Sequence, residues 1–232
     1  MKILKDKIKK VLSLNYEREI MITALDLNKP SRFYVNRELA NNYKLKSFKE
    51  KDLNSVMAFI EENNPGELDY NKSIIEGNCN GFLFYKDDIL IGYAWWLSRR
   101  SKFYNHDFDN LPINLKSKNE VYGFNNYIKP EIRGNGIASY FFAEIYSTWR
   151  KEGYTKVYGA VDTSNISALW VYRILGTKEI KRYKEYSIKL KGRKIEFNLY
   201  GSNPKDIYLF VSKNVIRFIR MVLPQKNNSS LN

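Results

Sequence analysis

The chain has 232 residues, 44% of them hydrophobic, which suits one folded domain with terminal additions and excludes a largely disordered polymer. A lone Cys79 excludes an intrachain disulfide and a cysteine-based metal site, a lone His106 gives poor support to a histidine-rich zinc site or a histidine-centred nucleophilic triad, and a reducing compartment is expected. The formal charge of +14, from 39 basic and 25 acidic side chains, favours polyanionic partners: a phosphorylated ligand, anionic lipid or nucleic acid.

Residues 1–13 set Lys2, Lys5, Lys7, Lys9 and Lys10 among Ile3, Leu4, Ile8, Val11 and Leu12, the pattern of a short basic amphipathic helix. Its lysine face is either solvated or laid on a membrane surface. The same lysines interrupt any run of signal-peptide length, and Lys213, Arg217 and Arg220 interrupt the apolar segment 207–223. No signal peptide or spanning helix is therefore expected, and the location is read as cytoplasmic, with peripheral contact at the inner membrane face left open. Residues 19–27 predict a strand stopped by Asn28-Lys29-Pro30, so 1–42 reads as an N-terminal extension.

A short strand is predicted over 43–48. Leu53, Val56, Met57 and Ile60 follow at i, i+3, i+4 and i+7 behind Asp52 as N-cap, a helix ended by Asn63-Asn64-Pro65-Gly66. A second helix covers 70–76. Runs 81–85 and 89–97, joined by Lys86-Asp87-Asp88, predict a hairpin. In its second strand Ile89, Ile91, Tyr93, Trp95 and Leu97 share one face and Leu90, Gly92, Ala94 and Trp96 the other; both are apolar, so the strand is central. A polar loop over 99–119 leads to a strand at 121–128.

Ile137, Phe141, Phe142, Ile145, Tyr146 and Trp149 mark the buried stripe of the next helix, ended by Gly153. A strand at 156–161 precedes a second buried helix at 165–175, carrying Ala168, Leu169, Val171, Tyr172 and Leu175 and ended by Gly176. Strands 183–190 and 195–200 form a last hairpin. Residues 201–232 read as a basic amphipathic helix and polar tail, which would dock on the domain, on a second subunit in a homodimer, or on an anionic membrane. Strands followed by strand-helix-strand-helix-strand imply a mixed sheet with helices on both faces.

The most informative stretch is Lys129-Pro130-Glu131-Ile132-Arg133-Gly134-Asn135-Gly136-Ile137-Ala138, where a strand passes through a glycine turn into a helix. A helix N-terminus reached through glycines offers free N–H groups and the positive end of the helix dipole, which suits a phosphate or pyrophosphate. Arg133, Gly134, Gly136 and Ala138 after Pro130, together with Asn165, Ala168, Tyr172 and Gly176 after a second strand, make residues 43–200 resemble the GNAT superfamily of N-acetyltransferases. Thr177 departs from the phenylalanine frequent in that family.

The resemblance implies an α/β fold whose mixed, mostly antiparallel sheet has helices on both faces and a V-shaped splay between two parallel strands. It implies acetyl-CoA or another acyl-CoA as co-substrate, and no metal. The N–H groups of Gly134, Asn135, Gly136, Ile137 and Ala138 would hold the pyrophosphate, with Arg133 adding charge. Ile128 and Lys129 would pair through their backbones with the pantetheine arm, Asn165 and Ala168 would complete the cofactor side, and Tyr172 would protonate the leaving thiolate. Glu120 is preferred over Asp162 as general base, with Asn125 and Asn126 as candidates to orient a water. The expected partner is a small-molecule amine acceptor rather than nucleic acid, best an amino sugar of bacterial surface-polysaccharide assembly. The basic run over 178–194 suits a phosphorylated acceptor or, equally, a solvated hairpin; a nucleotide- or lipid-linked amino sugar is the form of acceptor expected. Trp95, Trp96, Tyr122, Phe124 and Tyr127 either stack on a sugar or pack the core. A protein or peptide N-acetyltransferase, or a non-enzymatic RNA- or membrane-binding module, are the alternatives.

Overall fold

The computed structural model describes residues 12–29, 39, 41–77, 80–101, 113, 115–190 and 198–201. Two compact units are distinguished: Ile20–Lys181, and residues 1–19 with 182–232. In the first, β1 (Leu12–Asp26, from Ile20 on), β2 (Tyr43–Ser47), β3 (Asn80–Lys86), β4 (Ile89–Ser98), β5 (Glu120–Ile128) and β6 (Lys156–Asp162) form a sheet in the order β2-β3-β4-β5-β6-β1. Every neighbouring pair is antiparallel except β5 and β6.

The helices of this unit are α1 (Leu53–Asn63), α2 (Leu68–Glu76), α3 (Ile137–Lys151) and α4 (Ile166–Ile174). Val56, Phe59 and Ile60 of α1 and Ile74 of α2 pack with Leu83, Tyr93, Trp95, Leu97, Tyr122 and Phe124 on one face of the sheet. Ile137, Phe141, Ile145 and Trp149 of α3 pack with Phe82, Phe84, Ala94, Trp96 and Val121 on the other. The strands alternate because side chains of one face are two residues apart, and β4 is buried on both faces because helices cover both. Among the described residues no helix is long and apolar enough to cross a membrane.

Two expectations change and two are narrowed. β1 begins at Leu12, so the end of the amphipathic helix predicted over 1–13 is strand; residues 1–11 lie outside the described residues. Ile91 leaves the face of Tyr93 and Trp95, because the register jumps from Phe84↔Gly92 to Tyr85↔Leu90 and the extra residue in β4 turns Ile91 toward α3. α4 is buried along the predicted stripe, with Tyr172 and the following Leu175 buried and Ala168, Leu169 and Val171 partly so, but Ile166, Trp170 and Ile174, spaced i, i+4, i+8, form an exposed apolar stripe on its other side. Trp95, Trp96, Tyr122 and Phe124 are core residues, leaving only Tyr127 of the proposed sugar platforms partly exposed.

The second unit is described through β7 (Lys178–Leu190, from Arg182 on) and β8 (Asn198–Gly201), antiparallel over Lys184↔Gly201 to Ser187↔Asn198. Arg182 donates to the Glu19 carboxylate at 3.0 Å. The predicted C-terminal helix, the first part of the strand at 195–200, Cys79 and His106 lie outside the described residues.

Candidate active site

β5 and β6 run side by side only from Glu120↔Lys156 to Gly123↔Gly159. Beyond that rung β5 continues to Ile128 paired with β4 alone, so the two parallel strands part. Asn125 sits at the parting with φ of 42°, an extra residue between the rungs Ala94↔Asn126 and Trp95↔Phe124. Opposite Gly92, Ile128 occupies a non-hydrogen-bonded position, because the next N–H, that of Lys129, bonds to Ile91 O at 2.9 Å. By the same alternation Asn126 and Ile128 turn their N–H and C=O groups away from β4, into the gap.

This corrects one assignment. Both backbone groups of Lys129 are taken, its N–H by Ile91 O and its C=O by Ile132 N–H, so Asn126 and Ile128, not Lys129, offer the strand edge. The Lys129 ammonium lies 5.5 Å from the centre of the Phe59 ring.

From Lys129 the chain makes a 3-10 turn over Pro130–Ile132 and reaches α3 through Gly134, Asn135 and Gly136, with φ of 106°, 48° and 79°. The two glycines are there because an L side chain rarely adopts such angles, and Asn, at 48°, is among the residues that best tolerate the left-handed region. The Ile137 N–H turns back to Gly134 O at 3.0 Å and so is not free for a ligand. No acceptor among the described residues takes the N–H groups of Gly134, Asn135, Gly136 and Ala138, which leaves four donors for an anion. Arg133 does more than add charge: its Nε donates to Ile128 O at 2.8 Å and its guanidinium lies 5.5 Å from the Tyr127 ring centre, tying the turn to the strand edge.

α4 supplies the third side. Asn165 Oδ1 accepts the Ala168 N–H at 3.0 Å, so the spacing between these two residues is that of a helix N-cap. At the other end Gly176, with φ of 74°, donates its N–H to Arg173 O, and Thr177 donates both its N–H and its hydroxyl to Tyr172 O. The threonine that departs from the family pattern thus pins the last turn by its side chain.

Between these caps Tyr172 is buried, its ring 5.9 Å from that of Phe142. A Cβ on Gly159 would lie 3.2 Å from Tyr172 Oη, which places the phenol over the last parallel rung. Burial pushes this phenol up to about 12, so it is protonated at every physiological pH. Gly159 went unnoticed in the sequence, although a glycine inside a strand is the usual mark of close approach.

The candidate base does not reach this point. Glu120 stands at the first parallel rung, about 10 Å along the strand from Gly123. Its carboxylate accepts the N–H groups of Lys116 and Ser117 and the hydroxyl of Tyr158, which makes it the anchor of the turn before β5. Asp162 accepts the N–H and hydroxyl of Ser164 at the end of β6.

On the α1 and α2 side a buried network escaped sequence reading. Asn71 accepts from Trp95 Nε1 at 2.6 Å and from Asn125 Nδ2 at 3.1 Å, and donates to Glu67 O and the Tyr93 hydroxyl. The Tyr93 hydroxyl also accepts from Asn64, and Tyr127 donates to Asn63 O. Burial raises the Tyr93 phenol, with the two amide donors pulling the other way. An asparagine at an otherwise apolar position of α2 was the only signal.

The acetyltransferase (GNAT) family model matches residues 44–177, more than half of the chain. No curated protein sequence matches at a significant level. Among solved structures, the chain is similar to a GCN5-related glucosamine N-acetyltransferase region of a fungal multi-domain GH3 β-N-acetylglucosaminidase, with 18% identity and a TM-score of 0.59, covering 81% of this chain and 22% of that one. It is similar to a GCN5-related N-acetyltransferase from Sphaerobacter thermophilus at 16% identity and TM-score 0.54, covering 84% and 58%. A GNAT-family acetyltransferase from Colwellia psychrerythraea follows at 10% and 0.50, covering 81% and 61%. The chain thus spans less than two thirds of each of these proteins, and at such identities the likeness concerns the fold.

Proposed function

Because the chain belongs to the acetyltransferase (GNAT) family, we propose that it transfers an acetyl group from acetyl-CoA to the amine of an amino sugar, in the cytoplasm, for surface-polysaccharide assembly. The observation that carries the transfer chemistry is the parting of β5 and β6 with a protonated, buried phenol over its last rung.

The residues of the gap fit the co-substrate. Four free N–H groups at Gly134, Asn135, Gly136 and Ala138 suit a pyrophosphate, and the edge of Asn126 and Ile128 suits the amides of a pantetheine arm laid down as an extra strand. The bound acyl-CoA supplies the thioester that is broken. The Asn126 N–H, nearer the parting, polarises the carbonyl oxygen. A neutral amine attacks the carbonyl carbon, the C–S bond breaks as the C–N bond forms, and the Tyr172 proton moves toward sulfur. The amine's extra proton leaves to water, and the departing thiolate, stabilised by the Tyr172 O–H, takes its proton from solvent. With the phenol at about 12 and a thiol near 8.5, complete transfer is uphill by about 5 kcal/mol, so Tyr172 acts through a hydrogen bond that tightens as the bond to sulfur breaks.

On the acceptor side Asn64, Asn125, Asn126 and Tyr127 are at least partly exposed, neutral hydrogen-bonding groups. Such groups suit the hydroxyls of a sugar, and Lys129 and Arg133 beside them suit a phosphate on it. The test is release of free CoA from acetyl-CoA by the full chain with a panel of amino sugars, their phosphates, simple amines and peptides. Turnover confined to the sugars is expected; turnover confined to peptides overturns the acceptor assignment.

A further inference from the structure

α4 is apolar on both sides. Its inner side closes on the sheet through Tyr172, while Ile166, Trp170 and Ile174 on the outer side are 59%, 59% and 54% exposed. Spaced four residues apart, they turn by only about 40° per step and so form one ridge along the helix, and Tyr172 stands about 200° round from Trp170. The helix holds no acid and, besides Tyr172, only two polar side chains, Ser167 and Arg173. A helix that is apolar all round is ordinarily covered all round. Among the described residues five large apolar side chains are more than half exposed, and this ridge holds three of them, a concentration rather than the scatter normal for a surface.

The charges next to the ridge are positive. Arg173, three residues after Trp170, stands beside it on the helix, and Lys178 and Lys181 follow the helix end; all three are exposed, and Glu179 is the one acid from Ile166 to Lys181. We propose that the outer side of α4 docks on an anionic lipid bilayer, the ridge entering the interface and the cations meeting lipid phosphates. Trp170 occupies the middle of the ridge, and an indole, apolar with one N–H donor, suits the boundary between headgroups and acyl chains. A second copy of the chain fits less well. The three side chains expose about 400 Å², roughly half of the ~800 Å² that each partner of a standard interface buries, and the rest would come from surroundings that carry the same positive charge on both copies. A bilayer sets no minimum area, and its negative surface complements both these cations and the formal charge of +14. The ridge involves none of the residues placed at the gap between β5 and β6, so the proposal stands or falls apart from the acyl-transfer reading.

Trp95, Trp96 and Trp149 are buried, which makes Trp170 the exposed one of the four tryptophans and a reporter of contact. Full-length chain is mixed with vesicles of phosphatidylcholine, alone or with about a third phosphatidylglycerol, a portion of the lipid carrying brominated acyl chains; co-sedimentation and tryptophan fluorescence are read. Binding about tenfold stronger to the anionic vesicles is expected, with quenching of Trp170 by the bromines. Trp170→Ser lowers the partition about tenfold at an unchanged melting temperature, and Arg173→Glu combined with Lys178→Glu removes the preference for anionic vesicles. Trp170→Phe keeps the partition within about threefold and abolishes the quenching, which decides the matter by itself if Trp170→Ser melts early. Absence of vesicle binding by the wild type overturns the proposal. Binding that leaves Trp170 unquenched and survives Trp170→Ser also overturns it, by assigning membrane contact to another part of the chain. A dimer in sedimentation without lipid, converted to monomer by Trp170→Ser, overturns it by giving the ridge to a second copy.

Discussion

Gly123 and Gly159 face each other in the last rung that joins β5 to β6. Each leaves room for a large ring: a Cβ on Gly123 would lie 3.3 Å from Trp149 Cη2, and one on Gly159 3.2 Å from Tyr172 Oη. The two parallel strands thus part just where one face of the sheet is lowered to admit aromatic side chains from α3 and α4.

Gly159→Ala therefore acts on the phenol. The added methyl must push Tyr172 Oη or Thr23 Oγ1 aside by a few tenths of an ångström, because both contacts are tighter than or at the limit of ordinary packing. Turnover is expected to fall about tenfold or more. CoA affinity, measured by calorimetry, is expected to stay within about threefold, since the anion-binding turn is untouched. An unchanged kcat would place the phenol outside the reaction.

The phenol also sets a pH signature. Burial raises Tyr172 from 10.0 to about 12, so the folded chain holds this proton more tightly than the unfolded chain does. That stabilisation is complete below pH 10 and disappears as pH rises through about 12, a change of about 3 kcal/mol. Urea unfolding at about pH 9 and about pH 11.5, compared with Tyr172→Phe to cancel the other buried tyrosines, is expected to show wild type losing stability relative to the variant. Below pH 10 no alkaline loss of kcat should come from this group.

Glu120→Gln separates an anchor from a base. A carboxylate holding the N–H groups of Lys116 and Ser117 and the Tyr158 hydroxyl stabilises the entry to β5. Its amide retains one acceptor oxygen, so a loss of about 1–2 kcal/mol in urea unfolding is expected. The rate and the acid limb of its pH profile are expected to stay as in wild type; a collapse of kcat with a shifted acid limb would restore Glu120 to the chemistry.

Periodicity and glycine punctuation were enough to place the elements that build the site. The spacing of Ile137, Phe141, Ile145 and Trp149 gave α3, and Arg133 to Ala138 gave the turn before it, because helix period and positive φ leave local marks. What lay beyond reach depended on pairing. Whether Asn126 or Lys129 faces the gap follows from one extra residue at Asn125, and a one-residue change of register exchanges the two sets of backbone groups. Glu120 looked well placed as a strand end, but only the parallel register shows that it is the far end of the pairing. Thr23 and Gly159 are more than a hundred residues apart and meet through an antiparallel ladder that no local pattern encodes.

Asn71→Ala tests the buried network. Asn71 is fully buried and bonds to Trp95, Asn125, Tyr93 and the Glu67 carbonyl. Removing it orphans the Trp95 N–H and one side-chain contact of the bulge residue, at about 3 kcal/mol by urea unfolding. Because Asn125 holds a φ of 42° with that contact as a prop, the bulge is expected to relax. The expected kinetic result is a lower kcat with CoA affinity nearly unchanged; a stability loss with wild-type kcat would make the network structural alone.

Arg133→Lys asks whether charge or geometry matters at the turn. Arginine reaches back to Ile128 O through Nε at 2.8 Å while its guanidinium lies over Tyr127, so one planar group fixes the strand edge and carries the positive charge. Lysine keeps the charge and loses the fork. If the site needs only a cation near the pyrophosphate, CoA affinity by calorimetry will hold within about twofold, because the four N–H donors of the turn remain. If, as the geometry argues, Arg133 also holds the Ile128 carbonyl in register for the pantetheine arm, affinity falls about tenfold, equivalent to about 1.4 kcal/mol. Most of that loss should vanish when the ligand is shortened to 3′-phosphoadenosine 5′-diphosphate, which keeps the pyrophosphate and lacks the pantetheine. A loss that persists with the shortened ligand would return Arg133 to a purely electrostatic part.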